Sequence, residues 1–515
     1  MRNLASFRFA TLALTSALLL ATGLARATPQ TPAVDRDTLV VGVEKEFQNL
    51  DGLVTISGDS LRYGWQIYDT LYGFDLNGNL VPRLATQVKI SSDAKTYTYT
   101  LRQGVKFQNG AAFTSKDVKA SLDHILDPTA KSTRRPFFAP IVDTVETPDP
   151  YTVIFKLKSP DGAFPNKIAG YLYIIPADYL ASLPNADAFA QAPISLGPYR
   201  VKKYTPGGNE LVLERFDGFW GPKPKIKTLI FKAITEPSSR VNAILRGEVD
   251  VSAVLPSSAY EQLKKEPGLD VIAVPVAAPL YIRIYTNDPA SPLSKREVRQ
   301  ALSYALDTQA IIKGVLHGVG EPLGTFISKY YPYGGDPALR PYPYDPKKAR
   351  QLLASAGYPN GFETTLNVQG DLPKELSEAV VAYWAQVGVK VKLNLLSYSA
   401  FQRLNNTHAS GPLALSQFTN ALYDPIHPVG GAFAKGGSWS DYENPEVEAL
   451  LTQLSSATGA HARGPLFQKI GQILHDDAAG IFLSENFYIY AKKKDVLWDA
   501  QKGSGFFNFR TVSWR

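Results

Sequence analysis

Three places in the sequence carry residue types that could do chemistry. Ser195, in "PISLG", comes nearest to a serine nucleophile, yet Pro193 stands where a G-x-S-x-G elbow has its first glycine. His475-Asp476-Asp477 groups three potential metal ligands, but it closes a segment in which Phe467, Ile470 and Leu474 recur at helical spacing, and a histidine there is a favourable helix end. Asp424 and His427 lie three residues apart. A carboxylate can hold a cation, and a neutral imidazole can ligate a transition metal, although a lone histidine serves more often in hydrogen bonding. The chain has no HExxH helix, no GxxxxGK[ST] phosphate loop and no GxGxxG turn. Catalysis is therefore the weaker reading. A hydrolase stays as the alternative, since a working pair of carboxylates is defined by separation in space and not in sequence.

Such residues need elements to hold them, and the chain alternates strands with helices without an internal repeat. "TYTYTLRQGVKF" puts Tyr97, Tyr99 and Leu101 on one face, and "YTVIFKLKS" does the same with Val153, Phe155 and Leu157. Between them a helix starts near Thr114, carries Val118, Leu122 and Ile125 on one stripe, and ends at Asp127-Pro128. Ser294 with Glu297 reads as a capping box ahead of the stripe Val298, Leu302, Ala305. Asp345-Pro346 opens a helix that stops at Gly357. Val389, Val391, Leu393 and Leu395 alternate with Lys390, Lys392 and Asn394 as a strand, and Asn444-Pro445 opens a helix bearing Val447, Leu450, Leu451 and Leu454. These stripes are expected in the core, and the fold class is α/β.

The amino terminus predicts export. Arg2 and Arg8 precede a short apolar stretch from Phe9 to Leu24, and Ala25-Arg26-Ala27 reads as a signal-peptide cleavage site. The stretch is interrupted by Thr11, Thr15, Ser16 and Thr22, and it falls short of the ~20 apolar residues that span a bilayer. No later segment is apolar enough to do so, and a soluble mature chain in a Gram-negative periplasm is expected. The chain has no cysteine, which excludes disulfides, thiolate metal sites and a lipid anchor on cysteine. Its 515 residues imply more than one domain and permit a large apolar core. Loss of Arg2, Arg8 and Arg26 would leave 51 basic residues against 47 acidic ones, a modest +4. The basic residues are scattered, so nucleic-acid binding is not expected.

Several long phrases, taken in order, resemble the bacterial extracellular solute-binding proteins of family 5. "YDTLYGFDLNGNLVPRLATQVKISSDAKTYTYTLRQGVKFQNGAAFTSKDVKASLDHILDP" is similar to the amino-terminal signature of that family. "ISLGPYRVKKYTPGGNELVLERFDGFWG", "RVNAILRGEVDV", "VRQALSYALDTQAIIKGVLHGVGEP" with "YPYDPKKARQLLASAGYPNGF", and "YDPIHPVGGAFAKGGSWSDYENPEVEALL" resemble its later blocks. Ala94 and Phe107 stand where a glycine and a tryptophan are usual. The resemblance implies a two-lobed periplasmic binding protein, type II and cluster C-like, with an extra β-rich subdomain on the first lobe. Lobe I would take residues 28–68, 188–280 and 486–515, the extra subdomain 69–187, and lobe II 281–485. It further implies a monomer without cofactor that closes on a small-molecule solute and delivers it to ABC importer permease subunits.

The ligand is a separate question. In relatives that take peptides, an aspartate before a "DP" step holds the peptide ammonium, and alignment of "FTNALYDP" puts Ala421 there. An arginine after the strand "ETTLNVQ" serves the dipeptide group, and Gly370 stands at that position. A free dipeptide is therefore disfavoured unless Asp424 takes over the ammonium. Phe47 and Asn49, after the first strand "TLVVGV", and Phe418, Asn420, Tyr423, Asp424 and Trp439 in or near the second-lobe block, suit a ligand with polar and apolar faces. Peptide-like, opine-like and oligosaccharide solutes all fit that description. A nickel chelate held through His427 is a further alternative.

Overall fold

The computed structural model describes residues 36–55, 58–418, 420–503 and 505–515, without the side chains of 58–61 and 186. The expected signal segment, Phe9 to Leu24 with cleavage after Ala27, lies outside the described residues. Among the described residues, no helix is long and apolar enough to cross a membrane.

The first half of the chain forms β1 (Thr38–Val43), β2 (Ala85–Ile90), β3 (Thr96–Leu101), β4 (Val142–Asp149), β5 (Thr152–Leu157), β6 (Tyr199–Lys203), β7 (Glu210–Arg215), β8 (Thr228–Ala233) and β9 (Val251–Leu255). The second half adds β10 (Leu269–Ile284), β11 (Glu363–Gln369), β12 (Lys390–Leu396), β13 (Leu413–Gln417) and β14 (Gly480–Lys493). Strands β2-β3-β5-β4 make a separate antiparallel sheet. Its period-2 pattern works as the residues dictate: Tyr97, Tyr99, Leu101, Val153, Phe155 and Leu157 are buried. The helix Ser115–Leu126 packs on it through Val118, Leu122 and Ile125. Asp117 fixes the start of that helix by accepting from the Thr114 N–H at 2.8 Å.

All the other labelled strands share one mixed sheet in the order β12-β11-β13-β10-β14-β9-β1-β8-β7-β6, with a short strand Glu321–Pro322 beside β14. β10 and β14, of 16 and 14 residues, pair with each other at the middle of this sheet. Their pairing slips between Val276 and Leu280, a bulge that interrupts the ladder. On one side of these strands, the apolar core holds Leu39, Tyr99, Phe231 and Phe507. On the other side, one cluster gathers Val298, Leu366 and Trp384, and another gathers Phe326, Phe433 and Phe467. The molecule is a two-lobed α/β protein built on this mixed sheet.

Two helix starts match the sequence reading in detail. Asp345 accepts from Lys348 N–H at 2.8 Å ahead of the helix Pro346–Ser355, and Asn444 accepts from Glu446 N–H at 2.9 Å ahead of Pro445–Ser456. Two other expectations are corrected. Ser294 does not cap a helix: Pro292 starts a separate 3-10 turn, Pro292–Ser294, and the next helix begins at Arg296 with Lys295 at its cap. The capping oxygen there belongs to Ser291, which accepts from Leu293 N–H at 3.2 Å. Leu395 is not core either. It is 49% exposed, because β12 is the edge of the sheet and its outer face meets solvent.

Candidate ligand-binding cleft

In an open α/β sheet, loops diverge where the order of parallel strands reverses, and the carboxyl ends of those strands frame a crevice. The sheet has two such points. In lobe I, β1 lies parallel between β8 and β9; in lobe II, β11 lies parallel between β12 and β13.

Beyond the carboxyl ends of β1 and β8 is an open cavity of about 480 Å³, lined by Lys45, Glu46, Gln48, Asn49, Thr55, Tyr63 and Thr235. The Asn49 Oδ1 accepts from Asp51 N–H at 2.6 Å, and its carbonyl accepts from the Tyr63 hydroxyl at 3.0 Å, so this loop is fixed before any ligand arrives. Behind it, Glu44 is ion-paired with Arg62 on the helix Gly58–Ile67. Burial disfavours the Glu44 charge, but the adjacent guanidinium outweighs it and holds the carboxyl below its ordinary range.

At the carboxyl ends of β11 and β13 is a smaller pocket of about 150 Å³, lined by Tyr281, Gln369, Tyr398, Gln402, Asn405, Ser416, Gln417, Phe418 and Trp439. Phe418 and Trp439 form its aromatic wall, with ring centroids 4.4 Å apart. Gly431 seats the indole, since a Cβ there would come within 2.5 Å of it. Arg283, paired with Asp441 at 2.9 Å, donates to the Trp439 carbonyl at 2.8 Å and fixes the backbone of that wall.

The structure thus brings Asn49, Phe418 and Trp439 to the two walls and sends the other sequence candidates elsewhere. Phe47 is buried against Tyr63, and its N–H donates to the Gly208 carbonyl at 3.2 Å. Asn420 spends its amide on the Tyr331 hydroxyl at 3.1 Å and the Asp424 carbonyl at 2.7 Å. Ala421 and Tyr423 enter the apolar core of the first lobe, with the Tyr423 ring 4.6 Å from Phe74. Asp424 is fully buried in a fork with Arg463, at 2.8 Å from Nε and 3.0 Å from Nη2, and also accepts from the Tyr333 hydroxyl at 2.6 Å and from Ile426 N–H at 2.8 Å. Its lone pairs are committed inside the protein. A side chain at Gly370 would collide with the Leu396 carbonyl, so this backbone has no room for an arginine there.

His427 is packed among rings, with centroids 4.9 Å from Phe137, 5.5 Å from Phe418 and 5.8 Å from Trp439. Burial, then the nearby Lys167 ammonium, lower its pKa to about 4. Among the described residues, no group of three or more His, Cys, Asp or Glu is placed to hold a metal ion. Ser195 donates to the Ile174 carbonyl at 2.6 Å, and His475 bonds the Gly324 carbonyl at 2.7 Å and stacks on Tyr342. Both are structural.

Segments far apart in the sequence meet near these pockets. Asn166 Nδ2 donates to the Leu422 carbonyl at 2.8 Å, Gly162 N–H to the Ser455 carbonyl at 2.7 Å, and Asn486 Nδ2 to Gln417 Oε1 at 2.6 Å. Sequence reading missed Gln369, Gln402, Asn405 and Gln417. A usable signal for two of them was position alone, since Gln369 and Gln417 end strands; that those strands run parallel is visible only in the fold.

Comparison with known proteins accords with this arrangement. Residues 79–440 match the family model described as bacterial extracellular solute-binding proteins, family 5 Middle. The glutathione-binding protein GsiB of Pectobacterium atrosepticum is 29% identical over 496 residues, covering 93% of this chain and 94% of that protein. The solved structure of HbpA2 from Haemophilus parasuis superimposes with a TM-score of 0.84 at 26% identity, covering 93% of this chain and 100% of that one. AgaA of A. tumefaciens, in complex with agropinic acid, gives 0.75 at 28% identity, covering 93% and 99%. With its two lobes, its crevice at paired strand reversals and this match, the chain belongs to the bacterial extracellular solute-binding proteins of family 5, as the solute-capturing component of an ABC importer and not an enzyme.

Proposed function

We propose that the chain works as a periplasmic monomer that captures a small polar solute, other than a free dipeptide, between the Asn49 wall of lobe I and the Phe418–Trp439 wall of lobe II. The observation that carries this reading is the pair of crevices at strand reversals on either side of β10 and β14. A solute touching both walls binds the closed state better than the open one, and that difference in affinity drives closure. The bulge between Val276 and Leu280 is the natural hinge. Lobe I then comprises 28–68, 188–280 and 486–515, the extra subdomain 69–187 and lobe II 281–485, after removal of a signal peptide at Ala27. The permease reads the closed form.

Against a dipeptide stand Ala421 and Gly370 at the positions that would carry its two anchors, and the commitment of Asp424 to Arg463. Glutathione heads the panel to be tested because of the name its relatives carry, followed by sugar–amino acid conjugates, oligosaccharides and nickel chelates. Small-angle scattering and calorimetric titration test the reading: one site per monomer, with a compaction on binding and the solute recovered unchanged, is the expected result. Cleaved solute, or profiles unmoved by every compound, would overturn it.

A further inference from the structure

The loop that presents Asn49 and Thr55 to the larger pocket belongs to no strand or helix, so no ladder of main-chain bonds fixes residues 49–55. Its carbonyls must find donors elsewhere. For three consecutive loop residues these come, one for one, from three consecutive residues nearly eighty positions on. The Ser132 hydroxyl donates to the Leu53 carbonyl at 2.5 Å. Thr133 donates to the Val54 carbonyl through its N–H at 2.8 Å and its hydroxyl at 3.0 Å. Arg134 donates to the Thr55 carbonyl through Nε at 3.3 Å and Nη2 at 3.1 Å.

Arg134 is the costliest member of the three. Its side chain is fully buried, and its charge is met by the Thr55 carbonyl, by the Tyr171 carbonyl at 2.5 Å from Nη1 and by the Tyr173 ring 4.5 Å away, not by a carboxylate in a salt bridge. A buried guanidinium of that kind is disfavoured, and burial lowers its pKa. A methionine would fill similar space without that penalty. What only the planar fork supplies is two donors on the loop and a third on Tyr171.

The three residues are rooted outside the loop. They lie between the helix Ser115–Leu126 and β4. Phe138, one turn further, is buried with its ring 6.5 Å from Phe164, in the core that also holds Tyr97, Tyr99 and Phe155 of the antiparallel sheet. The same helix meets the loop from another side, since His124 Nε2 lies 3.1 Å from Asp51 Oδ2.

We propose that Ser132, Thr133 and Arg134 act as a positioning clasp for the solute site, with Arg134 its principal residue, and that the separate antiparallel sheet thereby sets the shape of the lobe I wall. This rests on the reading of that wall as a solute surface. A wall ordered in advance loses less freedom when a solute arrives, which strengthens binding without any contact from the clasp itself.

Hydrogen exchange of the solute-free protein, read by mass spectrometry, tests the clasp on Arg134→Met and Ser132→Ala. In Arg134→Met, residues 49–55 are expected to exchange at least tenfold faster, while Tyr97 and Tyr99 on β3 and Leu366 and Val368 on β11 stay within twofold of the unmodified protein. Ser132→Ala should show the same local pattern at about threefold, and decides by the same criterion should Arg134→Met fail to fold. Faster exchange at the loop, β3 and β11 together marks a residue that only stabilises the core; that outcome, or an unchanged loop, would overturn the proposal. Calorimetric titration with reduced glutathione, maltotriose and a nickel–histidine chelate separates the clasp from the cleft reading. A compound that the unmodified protein binds should bind Arg134→Met at least tenfold more weakly, and equal affinity would overturn the link between clasp and site. Should the unmodified protein bind none of them, the cleft reading fails while the exchange pattern still stands or falls by itself.

Discussion

The two pockets lie at equivalent points of the same sheet, yet their linings differ in chemistry. The lobe I wall is wide and open, and carries the charged side chains of Lys45 and Glu46 in front of the Glu44–Arg62 pair. The lobe II pocket is a third of that size and offers carboxamides and rings. Charges attract at long range and tolerate imprecise geometry, while neutral carboxamides and rings act only at contact and demand a matching shape.

The largest effect that could break this comparison is expected at Arg463. If Asp424 is framework, Arg463→Ala leaves a buried carboxylate without its cation and should cost about 3–5 kcal/mol in urea unfolding. Little change in stability would return Asp424 to the list of solute contacts. Next in size, Trp439→Ala should weaken binding of the cognate solute by about 2 kcal/mol, as loss of an aromatic anchor does, with a much smaller change in melting temperature.

The pH response sharpens the comparison from another side, because two buried groups oppose each other. His427 stays neutral in the folded state down to about 4 while an unfolded histidine protonates near 6.5. The unfolded state therefore binds the extra proton, and stability falls as pH drops through that window. Glu485, on β14, has its pKa raised to about 7, by burial first, against hydrogen bonds from Ser328 and Lys329 N–H and the charge of Lys329, with Glu321 adding to the rise. Here the folded state keeps the proton, and stability falls as pH rises from about 4.5 to 7. Glu485→Gln should remove the second limb and His427→Phe the first, read as melting temperature against pH. The smallest effect expected is at Lys45→Ala, a loss of affinity of a few tenths of a kcal/mol that vanishes as salt is raised, whereas the Trp439→Ala loss persists.

Much of this was legible in the sequence, and the limits have identifiable causes. Thr114, Asp345 and Asn444 announce their helices because a cap is a local hydrogen bond. Ser294 misleads because Pro292 starts its own turn first, and Leu395 because alternation marks a strand without telling whether a neighbour covers it. Asn49, Phe418 and Trp439, singled out by type and by their place in family-like segments, line the two pockets. Phe47 and Tyr423 have the same side-chain chemistry but sink into the core, and Asp424 lost its apparent freedom to Arg463, 39 residues on. The carboxamides of lobe II went unnoticed because uncharged side chains at strand ends carry no motif.

One contact has a bearing on how the chain is made. Gln66 donates to the Phe507 carbonyl at 3.0 Å and accepts from Phe509 N–H at 3.2 Å, a span of 441 residues in the first case, and Phe507 and Phe509 are part of the same core as β1. The earliest strand to emerge from a ribosome cannot complete its lobe until nearly all of the remaining chain has followed. A core closed by contacts so distant in sequence is of the non-local kind that folds slowly.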